Sequence, residues 1–250
     1  MPEQSIFAEP EVVNDIGECF FYHTMELPGH GLVRGDWDLR NGVEQYWGGI
    51  DLRNKRVLEV GPASGFLTFE MERRGAAVVC VDLDAKVKWD FAPYPRDVIE
   101  KGQAEMSDTI PKIKKAFWFA HAAHQSKARV HYGDAYNLPD ALGRFDVAFL
   151  ADMLLHTRDP LRILEQCARF TDKIIITELY RPELDFDPIM RLIPAPDNAS
   201  FAIGAWWYFS PKLFENFLGI LGFTDCNVSH HSHLLNGQTA IHFTIEATRK

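Results

Sequence analysis

Val57-Leu58-Glu59-Val60-Gly61-Pro62-Ala63-Ser64-Gly65-Phe66 decides the reading of this 250-residue chain. An apolar run ends in a carboxylate and breaks into a turn of small residues. Leu67-Thr68-Phe69-Glu70-Met71-Glu72-Arg73-Arg74 then reads as an amphipathic helix stopped at Gly75, and a second apolar run, Ala77 to Val81, ends at Asp82. Strand, glycine turn, helix, strand and acid form the front half of a nucleoside-binding α/β unit.

The turn's spacing narrows the ligand. A dinucleotide site needs Gly-x-Gly-x-x-Gly, so that a pyrophosphate can approach the backbone. Here Ala63 holds the middle position and Phe66 the third. Glu59 at the strand end suits a cationic ligand, since opposite charges at short range attract. Further along, Val130-His131-Tyr132-Gly133-Asp134-Ala135 is a short strand ending in Gly-Asp-Ala. Phe145 to Asp152 is the next strand, followed by Met153-Leu154-Leu155-His156. With these pieces in order, the chain resembles the class I S-adenosylmethionine-dependent methyltransferases, whose first motif is acid-x-Gly-x-x-x-Gly. The resemblance implies S-adenosylmethionine as cofactor, with Glu59 near its ammonium and Gly61, Pro62, Ala63 and Gly65 letting the backbone approach. It implies that Asp82, with Leu83, takes the ribose hydroxyls, that Asp134 and Ala135 meet the adenine, and that Ala151 and Asp152 complete the cofactor contacts.

Further blocks carry a finer resemblance over roughly residues 20 to 225. These are Tyr22-His23-Thr24-Met25-Glu26-Leu27-Pro28-Gly29, Met71 to Ala76, His156 to Leu161, and Trp206-Trp207. They are similar to a bacterial group related to the tRNA wobble-uridine 5-oxyacetic-acid-modifying methyltransferases. Those tRNA enzymes use a carboxylated cofactor derivative and a basic RNA surface. This chain carries 26 basic against 35 acidic residues, a net charge of −9, and no basic block. Phosphate-tracking surfaces are normally basic, so a small-molecule acceptor ranks above tRNA.

Cys19, Cys80, Cys167 and Cys226 are scattered, which suits a reducing cytoplasm rather than a disulfide framework or zinc site. The N-terminus lacks a signal pattern and no run reaches membrane-spanning length. A soluble cytoplasmic enzyme is the expectation.

The expected fold is α/β: a Rossmann-like, seven-stranded, mostly parallel sheet with helices on both faces and an antiparallel C-terminal hairpin. Core strands are predicted at 57–60, 77–81, 129–132, 145–150 and 173–178. Residues 1–50, rich in aromatics, read as an ordered N-terminal cap on a core at 51–250. The crossover at about 83–127 reads as an insertion, with a helix from about Ser107 to His124. Ser210-Pro211 starts a helix, with serine as cap and proline in the first turn. Asn236-Gly237 turns the terminal hairpin.

Methyl transfer needs an acceptor aligned with an activated carbon and shielded from water. A hydroxyl or protonated amine acceptor also needs a base. His156, at the carboxyl edge of the sheet and with an ordinary pKa near neutrality, is the candidate base. Tyr22, His23, Trp37, Glu178, Tyr180, Trp206 and Trp207 are the candidate acceptor-pocket residues, with Trp89 behind them. The run His230-His231-Ser232-His233 invites a metal reading, but no nearby acid or cysteine completes a site. It is expected on an exposed strand, with His231 and His233 sharing a face. A non-catalytic cofactor-binding regulator is the competing class, and an NAD-dependent oxidoreductase ranks last.

Overall fold

A computed structural model of the chain describes residues 5–84, 89–197 and 203–250. Part of the long crossover (85–88) and the first four residues of the N-terminal reading lie outside the described residues.

The chain folds around one mixed sheet. In sequence order its strands are β1 (Met25–Leu27), β2 (Gly31–Val33), β3 (Trp37–Asp38), β4 (Arg56–Val60), β5 (Ala77–Leu83), β6 (Arg129–Gly133), β7 (Val147–Ala151), β8 (Lys173–Leu179), β9 (Met190–Leu192), β10 (Trp207–Phe209), β11 (Asp225–Leu235) and β12 (Gln238–Thr248). The main sheet has the order β3-β11-β12-β8-β7-β4-β5-β6. Strands β4 to β8 run parallel, and the β11–β12 hairpin is antiparallel. The turn at Asn236-Gly237 has positive φ at both residues, as its sequence requires.

The sheet has eight strands rather than the expected seven. The extra one is β3, whose Trp37 and Asp38 pair with Leu235 and Leu234 at the edge of β11. Its residues read as turn formers, yet Trp37 and Leu39 are buried while Asp38 and Arg40 face outward and pair with each other. That two-residue alternation is the signature of a strand.

The apolar strands bury alternate residues on opposite faces. Val57, Val78, Cys80, Val147 and Phe149 meet one core, and Leu58, Val60, Val79, Ala148 and Leu150 meet the other. The first core is closed by α1 (Phe66–Arg73), by α2 (Arg96–His124) and by residues from Phe21 to Leu52. The second is closed by α3 (Pro160–Ala168) and α4 (Pro211–Ile220). Ser210 caps α4 by accepting a hydrogen bond from Leu213 N–H at 3.1 Å.

Helix α2 begins eleven residues before the expected Ser107 and carries Pro111 inside it. Its first half has no apolar stripe, since Gly102 is its only buried residue before Ala116, so periodicity could not reveal it. An Arg96–Glu100 pair one turn apart and Asp97 in the first turn support it instead.

Candidate functional site

The loop after β4 is a backbone cradle, half-buried at Gly61 and Ala63. Gly61, Ala63 and Gly65 have φ of 80°, 48° and 87°. A Cβ on Gly61 would sit 3.1 Å from Met153 Cβ, and one on Gly65 would press to 2.6 Å from the Phe69 ring. Gly61, Pro62 and Ala63 line a cavity of about 590 Å³, within the usual size of small-molecule sites. Gly65 does not line it. It lets α1 pack against Phe117 of α2.

Glu59 also lines the cavity and is nearly fully buried. Its Oε2 accepts hydrogen bonds from Thr68 Oγ1 of α1 and from Cys80 Sγ of the neighbouring strand β5. Burial pushes its carboxyl up to about 7, against the lowering effect of those two donors. A folded-state value above the unfolded 4.5 means that the protonated form stabilises the fold. That contribution is complete below pH 4.5 and is lost as pH rises toward 7, about 3 kcal/mol in all. Glu59→Gln has no such loss. Urea denaturation without ligand should therefore show wild type losing about 3 kcal/mol relative to the variant between pH 4.5 and 7. Parallel stability curves would refute the assignment.

On one side of this cradle, in β5 and after β6, Asp82, Leu83, Asp134 and Ala135 line the cavity. Leu83 N–H donates to Asp82 Oδ1 at 2.8 Å, and Tyr136 N–H to Asp134 Oδ1 at 2.8 Å. Burial raises the Asp82 pKa, while Lys114 pulls it down. Lys114 of α2 donates to Leu83 O and lies 4.2 Å from the centre of the Tyr132 ring.

On the other side, β7 ends at Ala151 and Asp152, and both line the cavity with His156. His156 Nδ1 lies 2.6 Å from Gly204 O. A carbonyl only accepts, so Nδ1 carries the hydrogen and Nε2 is the basic nitrogen. Burial lowers its pKa, which keeps the ring neutral near pH 7. Asp152 has φ 47°, and its N–H is held by Thr177 O of β8.

Four expected pocket residues do not line the cavity. Glu178 points to the opposite face of the sheet, where its Oε1 accepts from Leu154 N–H at 2.9 Å and so holds the turn that carries His156. Burial, with Asp152 nearby, raises its pKa well above the carboxylate range. Tyr180 turns outward to Asp185 and His230. Trp206 is buried with its indole N–H on Asp90 O, and Trp207 donates to Arg158 O. The tryptophans support the wall at Gly204-Ala205 without forming it. Trp89 does line the cavity, with its ring 5.8 Å from His156.

Tyr22, His23 and Trp37 also line it. Ser64 Oγ accepts from His23 N–H at 3.1 Å, which ties the N-terminal segment to the glycine turn. Trp37 Nε1 donates to Tyr22 OH at 3.2 Å. Burial lowers the His23 pKa to about 4 and raises that of Tyr22 to about 12.

Tyr46 is a lining residue that the sequence reading missed. Its OH donates to Asp152 Oδ2 at 3.0 Å and lies 3.2 Å from His242 Nε2. Behind it, His231 and His233 are buried rather than on an exposed strand. The two do share a face, and His230 is exposed on the other. The inward position of His242 in the apolar run Ile241 to Ile245 was the signal for this cluster. No group of three or more His, Cys, Asp or Glu among the described residues is placed to hold a metal ion.

A family profile described as a methyltransferase domain matches residues 38–224, three quarters of the chain. The chain belongs to this family. Its residues 38–224 are a methyltransferase domain. A ubiquinone biosynthesis O-methyltransferase of Psychrobacter cryohalolentis is 28% identical over 118 residues, 47% of this chain and 37% of that one. A second, from Psychrobacter arcticus, matches to the same extent. The methyltransferase thus spans little more than a third of the curated relatives it matches. Among solved structures, the N-terminal domain of EvdMO1 with S-adenosylhomocysteine bound has a TM-score of 0.53 at 16% identity, covering 84% of this chain and 79% of that one. A putative RNA methyltransferase of Pyrococcus horikoshii has a TM-score of 0.50 at 14% identity, covering 82% and 78%. At such identities the likeness is one of fold.

The cavity's donor set fits the cofactor. A backbone cradle at Gly61–Ala63 and the buried acid Glu59 line the cavity, with further acids in β5 and after β6. Among the described lining residues, acidic side chains outnumber the one lysine, Lys114, and there is no arginine. No helix of the described residues is long and apolar enough to cross a membrane.

Proposed function

We propose that this methyltransferase transfers the methyl group of S-adenosylmethionine to an oxygen or nitrogen atom of a small-molecule acceptor. One observation carries the reading: a single cavity of about 590 Å³ joins the Gly61 turn and its acids to a wall of Tyr22, Trp37, Tyr46 and His156. The names of the O-methyltransferase relatives agree with an oxygen acceptor.

Glu59 would hold the cofactor's ammonium, Asp82 its ribose and Asp134 its adenine. When bound, the cofactor supplies a methyl carbon activated by sulfur, which keeps the bond's electron pair as a thioether. His156 Nε2 would take the acceptor's proton. The aromatic wall aligns the acceptor and excludes water.

tRNA modification is the second reading, motivated by the finer sequence resemblance. An acidic lining argues against it, and equally against a carboxylated cofactor, because Lys114 is already engaged with Leu83 O and the Tyr132 ring. Calorimetry should give saturable binding of S-adenosylmethionine and S-adenosylhomocysteine to the folded protein. A tRNA titration across salt should show no steep salt-dependent affinity. Absent cofactor binding would end the methyl-transfer reading, and tight salt-dependent tRNA binding would move the acceptor to RNA. Cofactor consumption in a cell metabolite extract separates an enzyme from a cofactor-binding regulator.

A further inference from the structure

We infer that Asp152 is the docking point for the acceptor's nucleophile, a hydroxyl or an ammonium rather than a carboxylate, with Tyr46 and His242 as its positioning residues. The inference rests on the methyltransferase reading of the cavity and adds the chemical class of its second ligand.

The sheet order separates two ends of the site. Asp82 in β5 and Asp134 after β6 lie on one side of the Gly61 turn, whereas Asp152 follows β7, on the other. Its carboxylate is held on one edge only. Oδ2 accepts from Tyr46 OH at 3.0 Å and lies 3.1 Å from His242 Nε2. A carboxylate only accepts, so both hydrogens point at Oδ2 and His242 carries its proton on Nε2. Burial alone would raise the pKa of Asp152, but His242 and Tyr46 outweigh it and keep the group ionised.

The brace is itself rigid. Tyr46 packs against the rings of His231, His233 and His242 at 5.2, 4.8 and 5.4 Å, and its carbonyl accepts from Thr177 Oγ1. His231 lies 2.8 Å from Thr244 Oγ1 and 2.9 Å from His233 Nε2. His242 stacks on His231 with planes 8° apart. The contact between those two rings is stacking, so the cluster is a scaffold for Asp152 rather than a proton wire.

The other oxygen, Oδ1, is shielded from water and has no partner among the described residues. A buried acceptor left unpaired is costly, and more so when charged. The cavity that Asp152 lines is where a donor can come from, and an O–H or N–H from it satisfies the oxygen. A carboxylate acceptor would bring like charge against it.

Sinefungin tests this without knowledge of the natural acceptor. It carries an amine where the transferable methyl group sits, and otherwise keeps the amino-acid and nucleoside ends that S-adenosylhomocysteine has. Calorimetry on the full chain at pH 7 should give sinefungin about tenfold tighter binding than S-adenosylhomocysteine. Asp152→Asn suits the left-handed backbone and should reduce that preference to within about twofold while leaving S-adenosylhomocysteine affinity within about threefold. Tyr46→Phe should reduce the preference in part, again with S-adenosylhomocysteine affinity retained. Equal wild-type affinities, or a preference undiminished in the folded asparagine variant, would overturn the assignment while the cofactor reading stands. A parallel loss of both ligands in that variant would instead place Asp152 on the cofactor and likewise overturn it. If S-adenosylhomocysteine itself fails to bind, both readings fall together. Should Asp152→Asn not fold, the wild-type comparison and Tyr46→Phe decide.

Discussion

Asp82→Ala is expected to weaken S-adenosylhomocysteine binding on the order of a thousandfold. The proposed role of Asp82 is to accept from both ribose hydroxyls, and two charge-assisted hydrogen bonds at about 2 kcal/mol each amount to about 4 kcal/mol. Only Leu83 N–H and Lys114 counter the desolvation of this buried carboxylate in the protein itself. Removing it therefore relieves a folding penalty while stripping the ligand of its partner. The variant should melt no lower than wild type, which separates lost recognition from lost structure. Asp82→Asn keeps an acceptor oxygen without the charge, so a loss of about thirtyfold is expected. An alanine variant with unchanged affinity in calorimetry would remove Asp82 from the cofactor site.

Glu178→Ala is expected to cost about 4 kcal/mol of stability, and Glu178→Gln very little. The alanine leaves Leu154 N–H buried without its acceptor and opens a void beneath the Met153–Leu155 turn. Burial and the nearby Asp152 raise the pKa of Glu178 and so favour the protonated form, which a neutral amide mimics. With the folded value above the unfolded 4.5, its contribution is full below that pH and is eroded as pH rises toward the folded value. The glutamine variant escapes this erosion and should match or exceed wild type at pH 7. Chemical denaturation of the three proteins measures it. A glutamine variant as unstable as the alanine would show that the side chain is needed ionised.

Much of the proposed cofactor side of the cavity could be read from sequence because its lining residues are local. Glu59, the glycine turn and Asp82 lie within two dozen residues, and each sits at a strand end that apolar runs mark. Asp134 and Asp152 follow further apolar runs in the same way. The acceptor end resisted because it is assembled from distant segments. Nothing near Tyr46 in sequence announces Asp152, and the pairing of His242 with both emerges only when β12 lies beside β8. The face of a strand residue misled for Glu178, since Thr177 and not Glu178 points toward Tyr46. The paired tryptophans misled differently: both bury much of their area as supports one layer behind the wall.

Tyr46 and His242 are 196 residues apart, yet they grip the same carboxylate oxygen. On a ribosome the residues from Glu59 to Asp134 leave the tunnel long before His242 is made, and chains begin folding N-terminal first. The cofactor end is thus complete as a sequence while Asp152 still lacks half its brace. A chain cut before β12 would lack His242 and also the core residues Phe243, Ile245 and Ala247. On the proposed reading, the β11–β12 hairpin completes the brace that readies Asp152 for an acceptor.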